Sequence, residues 1–119
     1  MSYKLSVENE DKYIRVDLYD RFTQSDIDSA MREVLMIRQE QKLNRILCDQ
    51  RQLRVPPNDT VGFLTAAQFG SQSYLGTKLA IIRRQVKEER LFEIAAHNRG
   101  VIVKIFEDEE EAKQWLNNN

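Results

Sequence analysis

Asp49, Arg51, Arg54, Asp59, Thr60, Arg83, Arg84 and Glu107 are the side chains of this sequence with the most chemistry to offer, and they gather behind short apolar runs. Ile46-Leu47-Cys48 leads into Asp49, Leu79 to Ile82 leads into Arg83-Arg84, and Val101 to Phe106 leads into Glu107. If those runs are strands of an open α/β sheet, the polar residues lie at or beyond the carboxyl ends, where such sheets bind ligands. A guanidinium fork grips a phosphate or carboxylate through two hydrogen bonds, so arginines converging near a helix start suit an anion or a partner surface. The plainer reading is a set of solvated loop charges paired with nearby acids, and the residues alone leave both open.

Other chemistry is harder to assemble. Asp49 or Glu107 can in principle act as a general acid or base, but nothing in the sequence pairs either with a nucleophile or a metal, so no enzyme is expected. His97 is the sole histidine and stands beside Asn98 late in an expected helix, the place of a surface or helix-end cation. Cys48 is the sole cysteine, which excludes an intramolecular disulfide and reads as a small core residue. One histidine and one cysteine make neither a zinc site nor a Cys-His pair, and the acids from Glu107 to Glu111 are explained by a helix dipole. Gly62, Gly70, Gly76 and Gly100 are scattered, so there is no phosphate-cradling loop and no cofactor is expected. Phe63, Phe69, Tyr74 and Leu75 form an aromatic-rich run that reads as core, or else as the lining of an apolar ligand pocket or interface.

The elements that must hold these residues follow from periodicity. Tyr3, Leu5 and Val7 alternate with polar residues, as do the residues from Tyr13 to Tyr19, which predicts an antiparallel hairpin at a sheet edge. Ile27, Ala30, Met31, Val34 and Leu35 recur at helical spacing between a capping region at Thr23 to Asp26 and Lys42. A strand is predicted at Arg45 to Asp49, followed by a polar loop holding Arg51 and Arg54. Pro56-Pro57 then interrupts regular hydrogen bonding, and a helix opens near Asp59-Thr60 and ends at Gly70. A strand at Lys78 to Ile82, a helix at Val86 to Asn98, a strand at Val101 to Phe106 and a helix at Asp108 to Leu116 complete the chain. The order is β-β-α-β-α-β-α-β-α, a single α/β domain with a mixed, mostly parallel five-stranded sheet and helices mainly on one face.

Composition bounds the partners. Eighteen basic against nineteen acidic residues leave a net charge of −1, so no global field draws in nucleic acid or an anionic membrane. A 41% hydrophobic and 31% charged chain of 119 residues can bury one core without staples. The amino terminus lacks the apolar run of a secretion signal and no window resembles a membrane span, so a cytoplasmic location is expected. Homodimerisation is open to the edge strand Tyr3 to Glu8 or to an apolar helix face.

Three features together resemble the STAS domain of bacterial anti-sigma-factor antagonists, and more closely its small stand-alone SpoIIAA-like group, which is associated with STAS and SEC14 domains. They are the strand ending in Cys48-Asp49 with its polar loop and helix, the apolar strand Leu79 to Ile82, and the ending from Phe106 through Glu107 to Glu111, Ala112 and Trp115-Leu116. The resemblance spans nearly the whole chain. It implies a non-enzymatic regulatory domain that binds a protein partner. In those antagonists a Ser or Thr at the start of the helix after the third strand is phosphorylated, and Asp59-Thr60-Val61-Gly62 stands in a similar place, which makes Thr60 the implied phosphoacceptor. A phosphate there would meet free amides and the positive end of a helix dipole. The Pro56-Pro57 loop and Val61 depart from the antagonists' pattern. The SEC14 side of the resemblance implies an alternative, a carrier of a small lipid or other apolar ligand.

Overall fold

A computed structural model describes residues 3–8, 10, 12–20, 24–54, 76–84 and 102–118. Five strands form one sheet: β1 (Tyr3–Glu8), β2 (Tyr13–Asp20), β3 (Arg45–Leu53), β4 (Lys78–Ile82) and β5 (Ile102–Phe106), joined by helices α1 (Gln24–Gln41) and α2 (Glu109–Asn117). The spatial order follows the chain, β1-β2-β3-β4-β5. β1 and β2 are antiparallel, and the three remaining pairings are parallel. The mixed, mostly parallel five-stranded sheet expected from the sequence is therefore present. The helices expected at 59–70 and 86–98 fall outside the described residues.

Period-two alternation sorts the strands' side chains onto two faces. Ile14, Ile46, Leu79 and Val103 stand in one register row, and Val16, Cys48, Ile81 and Ile105 in the next. Both rows pack with Ala30 and Val34 of α1, while Met31, Leu35 and Ile37 close the margins of this core. Ile27, also expected inward, has a side chain outside the described set. α1 ends as a helix should: Lys42 adopts a left-handed φ of 55°, and the Leu43 amide donates to the Arg38 carbonyl at 3.2 Å. Arg38 then reaches across to the buried Thr77 hydroxyl at 3.1 Å.

The opposite face carries α2. Leu47, Ala80, Ile82 and Phe106 meet Ala112 and Leu116, both fully buried, with Trp115 against them. The Asp108 carboxylate caps this helix by accepting the Glu111 amide at 3.0 Å. At the far end Lys78, projecting from β4, donates to the carbonyls of Trp115 and Asn118 and lies 4.4 Å from the Trp115 ring centroid. The two described helices thus occupy opposite faces. Whether one face carries most of the helices depends on the two that lie outside the described residues.

One boundary departs from the sequence reading. β3 does not stop at Asp49 but runs to Leu53, so Arg51 is a strand residue and not a loop residue. Asp17 pairs with Asp49 and Tyr19 with Gln52, which places one extra residue in β3 between these pairs. Such a bulge reverses the alternation beyond it and turns Leu53 back into the α1 core, where it is buried. The polar stretch that looked like a loop is a strand whose charges are satisfied from the other side.

Candidate functional site

Register creates the central problem of this site. Asp17 and Asp49 are direct cross-strand neighbours on the α2 face, in the row continued by Ile82 and Phe106. Like charges so placed repel, and Asp49 retains only 8% of its side-chain exposure. Two guanidinium groups resolve this. Arg15, one pleat before Asp17 on the same face, donates from Nε to Asp17 at 3.1 Å and from Nη2 to Asp49 at 3.2 Å. Arg51, two residues beyond Asp49, clamps it with a fork: Nε to Oδ1 at 3.0 Å and Nη2 to Oδ2 at 2.7 Å, while its own amide donates to Oδ1 at 3.0 Å.

Glu109, in the first turn of α2, closes the cluster. Its Oε1 accepts from Nη2 of Arg15 at 3.0 Å and of Arg51 at 2.8 Å, and its Oε2 faces Lys113 at 3.1 Å. Asp17, Asp49 and Glu109 are thus balanced by Arg15, Arg51 and Lys113. The hydrogen bond from Arg15, reinforced by Lys113, outweighs burial and holds the Glu109 carboxyl at about 2. Burial alone would raise Asp49, but the side-chain and backbone hydrogen bonds of Arg51 bring it below the ordinary carboxylate value. Arg15 is raised in turn, its burial outweighed by the hydrogen bond to Glu109 and the charge of Asp17.

A second tier lies on the outer side of the same strand ends. Arg84 is exposed and donates from Nε to the Arg51 carbonyl at 2.5 Å, and Arg83 donates to the Gln50 side chain at 2.7 Å. Arg83 also extends the ladder by donating its amide to the Phe106 carbonyl at 2.8 Å. Arg54 is exposed, and its amide donates to the Asp20 carbonyl at 2.9 Å. Glu107 is exposed at the end of β5. Asp49, Arg51 and Arg84 are therefore brought together, and Arg54 stands at the end of the same strand. Asp59, Thr60, Phe63, Phe69, Tyr74, Leu75 and His97 lie outside the described residues.

Sequence reasoning missed Arg15 and Glu109. Arg15 stood only within the alternating run from Tyr13 to Tyr19, and Glu109 read as a helix-dipole acid. The usable signal was that β2, once flanked by β1 and β3, carries Arg15 and Asp17 at alternate positions on a face that another element has to cover. Cys48 packs against the α1 core, as expected, and burial pushes its thiol up to about 12. Among the described residues no group of His, Cys, Asp and Glu is arranged to hold a metal, and no helix is long and apolar enough to cross a membrane.

No family model matches the chain, and no curated protein matches it. Among solved structures it is similar to an uncharacterized protein of the DUF3478 family from Shewanella loihica PV-4, described as having a SpoIIAA-like fold. The TM-score is 0.58 at 16% identity, and the match covers 96% of this chain and 91% of the other. At that identity the likeness speaks for the fold. The mixed, mostly parallel five-stranded sheet and this match agree with the resemblance read from the sequence, and the chain has a SpoIIAA-like fold.

Proposed function

We propose that the chain is a non-enzymatic protein-interaction domain of the STAS kind, and that its partner docks at the carboxyl ends of β3 and β4 around Arg54 and Arg84. The observation that carries this reading is the state of the two carboxylates at the centre of the charged cluster. Asp49 and Glu109 are held ionised by Arg15, Arg51 and Lys113, so neither is poised to take up a proton near neutral pH. The inner charges hold the fold together, and the exposed outer arginines are left to meet a partner's carboxylates or phosphates.

On this reading Thr60, which follows the Arg54 end of β3 in the chain, is the residue whose phosphorylation would switch the surface. The single domain spans residues 1–119 and works in the cytoplasm. The alternative, a carrier of a lipid or apolar ligand, needs an enclosed apolar cavity. A groove between β1 and α1 has apolar walls but lies open to solvent and is rimmed by Lys4, Glu33 and Glu40, and the residues expected to line such a cavity, Phe63, Phe69, Tyr74 and Leu75, lie outside the described residues.

The test is chemical cross-linking and affinity capture in parallel on wild type, Arg54→Glu/Arg84→Glu and Thr60→Glu. A partner recovered on wild type and lost on the double charge reversal is expected, with Thr60→Glu changing its recovery in either direction. Equal recovery on all three baits would overturn this placement of the surface.

A further inference from the structure

The two edges of the sheet carry different charge patterns. β1 at one edge reads Tyr3-Lys4-Leu5-Ser6-Val7-Glu8, and β5 at the other reads Ile102-Val103-Lys104-Ile105-Phe106. Among the described residues each pairs with one strand only, so each is an edge of the described sheet. We propose that β1 pairs antiparallel with β1 of a second copy of this chain about a two-fold axis at Ser6, which joins two five-stranded sheets into one continuous sheet.

The register follows from symmetry and charge. Side chains directly opposite in an antiparallel pair share a face, so a two-fold axis normal to the sheet must pass through a residue and not between two. With the axis at Ser6, Lys4 stands opposite the second copy's Glu8 and Leu5 opposite its Val7, each twice. With the axis at Leu5, Lys4 meets Ser6, and with the axis at Val7, Glu8 meets Ser6, so neither pairs opposite charges within β1. Lys4 and Glu8 are exposed and Leu5 and Val7 half-buried, so the groups that would be matched are accessible. β5 has no such solution. An axis at Lys104 sets that lysine against its own copy, and an axis at Val103 or Ile105 sets it against Ile102 or Phe106, so Lys104 guards this edge against pairing.

The α1 face supplies the second support. Tyr3 and Leu5 from β1 and Met36 and Ile37 from α1 wall the groove, about 490 Å³ in volume, that runs beside the open edge. Met36 is 55% exposed, one of two large apolar side chains so exposed among the described residues. α1 rests over β1 and β2, so in the paired sheet the two copies of α1 would stand about two strand spacings apart, roughly 10 Å, the distance at which helices pack. Met36 would then be covered by the second copy, and Leu5 and Val7 would close the groove from its open side.

Sedimentation equilibrium on the full chain, over a concentration series, tests this. Wild type is expected to dimerise. Lys4→Glu and Glu8→Lys each turn two attractive cross-strand pairs into repulsive ones and should each raise the dissociation constant about thirtyfold. The combined Lys4→Glu/Glu8→Lys swap restores opposite charges and should return to near the wild-type value, and Lys104→Glu should leave it unchanged. Lys4 also lies opposite Asp17 within the chain, so Glu8→Lys, opposite Tyr13, carries the test if Lys4→Glu perturbs folding as seen by circular dichroism. A wild type that stays monomeric, single variants that associate like wild type, or a swap that fails to recover would each overturn the proposal. So would a monomer whose native mass includes a small molecule displaced by Leu5→Glu, since the groove would then have another occupant.

Discussion

The two faces of one sheet solve different problems. The α1 face is covered by aliphatic rows from β2, β3, β4 and β5, and its stability comes from removing surface from water. The α2 face is apolar over only part of its area, and the rest is a lattice of Arg15, Asp17, Asp49, Arg51 and Glu109 that fixes the start of a helix over the ends of β2 and β3. The first face is indifferent to register beyond alternation. The second works only if Arg15, Asp17, Asp49 and Arg51 meet in the pairing observed. Among the described residues one face supplies most of the burial, and the other ties the helix position to a set of charges.

Mutations should separate the two. The largest loss is expected from Ile46→Ala on the α1 face, about 4 kcal/mol in urea unfolding, with little dependence on salt or on pH between neutrality and mild acid. A loss below about 2 kcal/mol would mean that the α1 core collapses around the void. Next comes Arg15→Leu on the α2 face, about 3 kcal/mol, because Asp17 and Asp49 would then face each other with only Asp49 still clamped by Arg51. Added salt should recover part of that loss by screening the repulsion, a recovery that Ile46→Ala must lack.

Glu109→Gln sharpens the contrast through pH alone. The folded Glu109 carboxyl lies at about 2 against an ordinary 4.5, so the unfolded chain binds the proton first. Its contribution is complete above about pH 4.5 and fades as the pH falls toward 2. With solvent screening at this partly exposed side chain it is on the order of 2 kcal/mol. The variant should lose that amount at neutral pH and show a flatter acid limb than wild type in a pH series of urea midpoints. An unchanged acid limb would assign the acid sensitivity to other carboxylates. The smallest effect, about 1 kcal/mol, is expected from Lys78→Met, which keeps the aliphatic stem but removes the donor to the α2 carbonyls and the cation over Trp115. Thermal unfolding of this variant should shift by a few degrees.

The faces were also unequally legible. Alternation placed β1 and β2, short apolar runs placed β3, β4 and β5, and helical spacing placed α1 and α2, because these patterns are local and set by burial. Asp49 and Arg51 were found because they follow an apolar run. Arg15 and Glu109 were not, since they are 94 residues apart and meet only after β2 is paired with β3 and α2 is folded over both. The true end of β3 was hidden for the same reason: Asp49, Gln50, Arg51 and Gln52 have the composition of a loop, and only Leu53 and the charges opposite keep them extended. A sequence records which residues are polar more plainly than which polar residue will neutralise which.

α2 is nine residues long, too short to persist alone in water. Both of its ends are nevertheless fastened to the sheet, Glu109 to Arg15 and Arg51, and the last carbonyls to Lys78. A helix held in this way has no free end from which to unravel. Its amide protons should therefore exchange with solvent through detachment of the whole segment, at a nearly uniform rate along its length, so that α2 behaves as one cooperative unit of local opening.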